Sequence, residues 1–240
     1  MTAIELRGAT KRYRSRTAID DVGLTVEYGE IVGLLGRNGA GKSTTVAAIA
    51  GLIGLDDGEV RVDGFDPVRD RRRVRAVLGV QLQDAELHAA LTVGELARLY
   101  RSFYRDGLDP DALLERVGLT AERKTRFENL SGGQQQRLSI ALALIGDPRV
   151  VVLDELTTGL DPEARRSMWS LVRALRADGL AVLLVSHLME EVERLCDRVV
   201  VLDAGRVIAR GTPAELVSRT GGETLDDAFL ALTGEKGEPS

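Results

Sequence analysis

The residues best suited to chemistry lie in one run, Gly36-Arg37-Asn38-Gly39-Ala40-Gly41-Lys42-Ser43. Its glycines let the backbone curl so that successive N–H groups converge on a single anion. An apolar strand-type run, 30–35, precedes it, and a helical pattern, 44–50, follows from Thr44. Strand, glycine-rich turn and helix form the context of a phosphate-binding loop. Lys42 falls in the first turn of that helix, where the peptide dipoles already favour negative charge. A polyphosphate between lysine and helix end removes the conflict. Ser43 then offers its hydroxyl to a magnesium ion on the β- and γ-phosphates.

Two further groups of polar residues stand at the ends of apolar segments. Asp154 and Glu155 follow the uninterrupted apolar run 150–153, which reads as a buried parallel strand. Adjacent carboxylates there are costly unless something compensates them. Consecutive strand residues point to opposite sides, so the two can divide the work. Asp154 can hold the metal, directly or through water, while Glu155 faces the attacking water. His187 ends the apolar run 180–185 with Ser186, at the sheet edge where open α/β folds place ligands. His88 has no such context and reads as surface. Ser131-Gly132-Gly133-Gln134 begins another helix, as a capped start or as a second anion-binding end.

The elements that carry these residues follow from pattern. Segments 3–6 and 18–26 read as strands, with Tyr13 between them in a basic stretch. Tyr13 reads equally as a packing residue or as a stacking surface for a flat base. A strand at 60–62, a helix over 67–75 and a strand at 77–80 come next. Helical patterns at 93–106 and 110–117 sit between strand-rich parts and indicate a small helical insertion. Pro162 suits the first position of a helix running to about 177, on which Trp169 reads as core. Segments 198–202 and 206–209 flank Asp203-Ala204-Gly205, a hairpin signal. Two short helices, 213–219 and 224–232, precede a tail expected to be disordered, 233–240.

Composition narrows the classes. The 240 residues are 44% hydrophobic and 29% charged, ordinary for a globular protein with a sizeable core. The net charge of -5 argues against a broad nucleic-acid surface. Arginines 69, 71, 72, 73 and 75 read as a solvated face. Cys196 is the one cysteine, which excludes an intrachain disulfide. The N-terminus lacks a signal-peptide pattern, and the most apolar windows are about half the length that spans a bilayer.

Taken together, the motifs closely resemble the ATP-binding subunit of ABC transporters, over about residues 3–232. Residues 36–43 match the Walker A loop, Leu130-Ser131-Gly132-Gly133-Gln134 the family signature, and 150–155 Walker B with its catalytic glutamate. Gln83 matches the Q-loop glutamine, Asp161 the D-loop aspartate and His187 the switch histidine. Tyr13 falls where the family keeps an aromatic that stacks on adenine. Flanking residues, among them Thr157-Thr158-Gly159-Leu160-Asp161-Pro162 and the stretch 225–233, resemble the drug-resistance (ABC-2) exporter branch. One departure stands out: Leu156 follows the catalytic glutamate where the family usually has proline. Leucine restores an N–H and frees φ, so a slightly less rigid backbone around Glu155 is expected.

The resemblance implies an α/β fold. Its parts are a P-loop NTPase core with a mainly parallel sheet, an N-terminal antiparallel β subdomain and a helical insertion at about 84–146, together making one ATPase domain, 1–232. It implies ATP and Mg2+ as ligands. Residues 36–44 would cradle the phosphates, and Ser43, Gln83 and Asp154 would hold the metal. Glu155, His187, Lys42 and Gln83 would carry catalysis. Residues 131–134 and Asp161 would act on ATP held by a second ATPase subunit, either another copy of this chain or a relative. The expected partner is a multi-spanning permease, reached through the segment 84–106, with the chain on the cytoplasmic face of the membrane. Export of drugs or other small hydrophobic molecules is the leading expectation. An importer subunit, a soluble ABC ATPase and a non-hydrolysing regulatory module are its rivals. Acidic charge, a single ATPase domain and the short stretch between Walker A and signature speak against partners of the DNA-repair and translation kind.

Overall fold

The computed structural model describes residues 1–14, 16–81 and 87–234. The chain opens with two long antiparallel strands, β1 (Thr2–Tyr13) and β2 (Arg16–Glu27). Both alternate buried and exposed residues, as strands with one wet face do. After β3 (Ile31–Gly36) and α1 (Lys42–Ile49), β4 (Asp57–Val62) returns to pair with β1, giving a three-stranded sheet in the order β2-β1-β4.

The remaining strands build a second sheet around β3. They are β5 (Leu78–Gln81), β6 (Val150–Asp154), β7 (Ala181–Val185), β8 (Arg198–Asp203) and β9 (Arg206–Gly211). The order is β5-β6-β7-β3-β8-β9, with β9 alone antiparallel to its neighbour. The exception has a local cause. Ala204 and Gly205 both take positive φ, 45° and 81°, and so close the two-residue turn that a tight hairpin needs. The parallel strands instead require crossovers. Those between β5 and β6 are α3 (Val93–Arg101), α4 (Pro110–Arg116) and α5 (Gly132–Leu144).

Period-two alternation in the buried strands separates two cores. Ile31, Leu35, Val151 and Leu153 pack with the helices α3 to α5 and with α6 (Pro162–Ala177) and α7 (Met189–Leu195). Val32, Leu34, Val150 and Val152 face the antiparallel sheet and α1. Each fully buried side chain of this kind contributes roughly 1.5–3 kcal/mol. α6 buries Met168, Trp169, Val172 and Leu175, one stripe of an amphipathic helix. Trp169 is therefore core, as its sequence context indicates. α8 (Pro213–Thr220) and α9 (Leu225–Thr233) are the last helices among the described residues.

Some boundaries differ from those expected. The helix foreseen over 67–75 is α2 (Arg71–Val77). Asp66 Oδ1 accepts from the N–H groups of Val68 and Arg69, and this turn delays the helix. The arginines of α2 are exposed, as a solvated face requires. The pattern over 93–106 stops as a helix at Arg101, where Ser102 Oγ donates back to Leu99 O at 2.6 Å. The foreseen tail begins at Thr233, the last residue of α9, and its remainder from 235 lies outside the described residues.

Candidate active site

The loop between β3 and α1 is shaped by contacts that only glycine permits. A Cβ on Gly36 would lie 2.5 Å from Leu202 O. Gly39 and Gly41 take φ of 82° and 108°. A Cβ on Gly41 would lie 2.7 Å from Ile19 Cγ2 and 2.8 Å from Ala18 O. Gly41→Ala therefore meets both strain and a backbone clash, about 1–3 kcal/mol for the φ alone. We expect ATP affinity to fall at least tenfold, read by equilibrium nucleotide binding. Unchanged affinity would mean that the loop does not hold the nucleotide in this form.

Lys42 is buried, and its Nζ donates to Gly36 O at 2.6 Å and Arg37 O at 3.1 Å. Burial lowers its pKa, and the nearby Glu155 and Asp154 oppose that shift. The loop borders a cavity of about 420 Å³. Lys42, Ser43, Thr44, Asp154, Glu155 and Tyr13 all line it. Tyr13 is 46% exposed, and Lys11 Nζ lies 5.7 Å from its ring centroid. The strand ends β3 and β6 thus meet the antiparallel sheet around one space.

Asp154 closes β6, and its N–H donates to Gln81 Oε1 at 3.0 Å. Glu155 departs from the expected strand geometry. It lies just past β6 with φ 51°, and its N–H donates to Val185 O at 2.8 Å. Strand alternation therefore does not apply across the pair. Both carboxylates border the same cavity rather than opposite faces. Glu155 Oε1 lies 3.2 Å from Nδ1 of His187, which is half exposed beyond β7. Leu156 is fully buried in the larger core, so side-chain packing anchors the position where the family usually has proline.

A second cavity of about 450 Å³ continues from His187 and Glu155 past Arg37 to Met189 and Phe229. Arg16, Ala18, Met189 and Phe229 also border the cavities and were not among the residues expected there. Arg16 borders the first cavity, and its Nη2 donates to Gly39 O at 3.0 Å. The basic run around Tyr13 was the available signal for it. Phe229 arrives from α9, and no local pattern marks it.

The remaining predicted residues lie elsewhere. Ser131 caps α5: its Oγ accepts from Gln134 N, and Gln134 Oε1 accepts from Ser131 N at 2.9 Å. Gly133 packs on α6, where an added Cβ would lie 3.1 Å from that of Ala164. None of residues 131–134 borders either cavity. Asp161 caps α6 by accepting from the N–H groups of Glu163 and Ala164, and these bonds hold its carboxyl below the usual range. Gln83 lies outside the described residues.

The donor set suits magnesium. No cluster of three His, Cys, Asp or Glu occurs among the described residues. The carboxylate of Asp154, at the end of β6, and the exposed hydroxyl-bearing Ser43 border the same cavity. A hard cation that keeps its waters and takes phosphate oxygens needs no more protein ligands than these.

Fold and site together define a P-loop nucleotide-binding protein, and the family profile described as ABC transporter matches residues 19–158. The chain belongs to the ABC transporter family and is one of its ATPases, the ATP-binding subunit rather than the permease. It is 42% identical over 221 residues to the Nod factor export ATP-binding protein I of Rhizobium johnstonii, covering 90% of this chain and 71% of that one. It is 41% identical to the daunorubicin resistance ATP-binding protein DrrA3 of Streptomyces coeruleorubidus, covering 94% and 73%. A solved ATP-binding subunit of an ABC transporter superposes with a TM-score of 0.86 at 30% identity, over 96% of this chain and 99% of that chain. Among the described residues no helix is long and apolar enough to cross a membrane.

Proposed function

We propose that this chain hydrolyses ATP to drive a separate membrane permease that exports drugs or other small hydrophobic molecules. The contact of Glu155 with His187 beside the Lys42 loop carries the hydrolytic reading. The names of the relatives, export and resistance ATP-binding proteins, support the direction of transport and the class of cargo.

In this reading the adenine lies against Tyr13, and the N–H groups of residues 36–44 take the phosphates. Lys42 leaves the carbonyls of Gly36 and Arg37 and neutralises charge between the β- and γ-phosphates. Ser43 and Asp154, with Gln83, would hold Mg2+, which would supply positive charge to offset the negative charge developing on the phosphate oxygens. Glu155 orients and polarises the attacking water, and His187 holds that carboxylate while contacting the γ-phosphate. Catalysis of this kind is positioning plus charge stabilisation.

Residues 131–134 stand apart from the cavities of their own chain, which supports their acting on ATP held by a second ATPase subunit. Two chains facing head to tail complete two sites, and a symmetric pair satisfies both. Ser131→Arg should spare nucleotide binding and prevent the ATP-driven dimer, read by light scattering with and without ATP. A variant that still dimerises with ATP would remove the signature from that role. The part of the helical insertion near 84–106 carries the motion to the permease at the cytoplasmic face.

The transport reading is tested by purifying the tagged protein from gently solubilised native membranes. A polytopic membrane protein in stoichiometric amount is the expected companion. Wholly soluble partners, with the chain absent from membranes, would overturn it.

A further inference from the structure

Behind the Glu155–His187 contact lies a buried acid with no part in the scheme above. Glu191, on α7, is 1% exposed. Its Oε1 accepts from Thr157 Oγ1 at 2.9 Å and from Trp169 Nε1 at 3.3 Å. Its Oε2 is buried with no partner among the described residues. A half-satisfied buried carboxylate is a poor choice for stability alone. Its partners explain where it matters. Thr157, fully buried, lies two residues beyond Glu155, and α7 starts two residues beyond His187. Trp169 lies on α6, the helix that follows the Glu155 loop. One oxygen thus fastens the segment bearing Glu155 to the segment bearing His187. The outer ends of the same two segments meet at 3.2 Å beside the cavity.

We propose that Glu191 is a positioning residue for hydrolysis. Through Thr157 and Trp169 it fixes the spacing between the Glu155 loop and α7, so that the carboxylate and the imidazole share one geometry. The inference rests on the assignment of Glu155 and His187 made above. Thr157 serves as a strut rather than a ligand. Its hydroxyl points inward to Glu191, and its methyl fills core space.

The test combines kinetics with the one tryptophan of the chain, whose indole N–H is itself a partner of Glu191. Glu191→Ala should lower kcat by about ten- to a hundredfold, the scale of a modest misplacement of reacting groups. The KM for ATP should stay within about twofold, since the phosphate loop is untouched. Trp169 emission should shift as its acceptor disappears. Thr157→Val, near in shape to threonine, should lower kcat without moving that emission, and Thr157→Ser should restore it. Glu191→Gln keeps a carbonyl acceptor for both donors and should retain kcat. The Thr157→Val, Glu191→Ala double variant should be no slower than the slower single one.

Wild-type kcat in folded Thr157→Val and Glu191→Ala would overturn the proposal. So would additive losses, or a Glu191→Gln variant as slow as Glu191→Ala. If Glu191→Ala does not fold, the Thr157→Val and Thr157→Ser pair decides. Glu155→Gln separates this failure from that of the underlying reading. An inactive Glu155→Gln beside fully active Thr157→Val sinks only the strut, whereas an active Glu155→Gln sinks the assignment beneath it.

Discussion

Glu155→Gln leaves ATP bound and stops its turnover. The change removes one negative charge and the basic oxygen that faces the water, yet keeps the shape and a hydrogen-bonding partner for His187 Nδ1, now 3.2 Å from Oε1. Backbone strain is unchanged, because glutamine meets the same penalty as glutamate at the φ of 51°. A side chain that takes up or polarises a proton in the transition state is worth about 10²–10⁴ in rate. We expect kcat to fall at least about a hundredfold. ATP affinity should hold or tighten, since a carboxylate near the phosphates is lost. Single-turnover hydrolysis alongside equilibrium nucleotide binding separates the two quantities. Turnover at the normal rate would remove Glu155 from its role.

Lys42→Ala acts at another residue lining the same cavity and should show first at binding. The ammonium is held by two loop carbonyls in a buried position. Its residue also lines the cavity beside Ser43 and Thr44. Hydrogen bonds to charged groups are worth about 1.5–3 kcal/mol each, so ATP affinity should drop by roughly ten- to a hundredfold. The pH dependence supplies a second signature. Burial lowers the folded-state pKa of Lys42 below its ordinary 10.5, and bound phosphates, as anions, raise it again. ATP thus prefers the protonated form. Wild-type affinity should weaken as pH climbs through the lowered pKa of the free protein, and Lys42→Ala should lack that slope. A variant with intact affinity and an intact slope would show that another cation holds the phosphates.

Local sequence made the site unevenly legible. The loop 36–43 could be read because each of its residues answers a local demand: glycine for φ, lysine for charge, serine for a hydroxyl. The helix from Pro162 to Ala177 could be read because its cap, its proline and its buried stripe agree. For Glu155 the expected orientation, opposite to Asp154, was wrong. Strand periodicity holds only while the chain remains a strand, and a left-handed residue ends it without any glycine to announce the turn. Ser131 and Asp161 were assigned to a nucleotide, and each also caps its own helix, a local task that fits the same residue types. Arg16 and Phe229 escaped because their place at the cavities is set by strand pairing and by the docking of α9. Glu191 could not be singled out, since no pattern in sequence shows which of the neighbouring carboxylates on α7 turns inward.

The turn at Ala204 and Gly205 has the outward marks of a place to insert a tag: short, at a hairpin tip, with positive φ. Its bonds say otherwise. Gly205 N donates to Ala40 O at 3.0 Å, and Gly205 O accepts from Asp20 N at 2.8 Å. A Cβ there would lie 2.8 Å from Ala18 O. The turn bonds on one side to the loop 36–43 and on the other to β2, and so ties that loop to the sheet that carries Tyr13. For anyone labelling, splitting or permuting this chain, that tip is a tie between the loop bearing Ala40 and the strand bearing Asp20, and cutting there puts both bonds at risk.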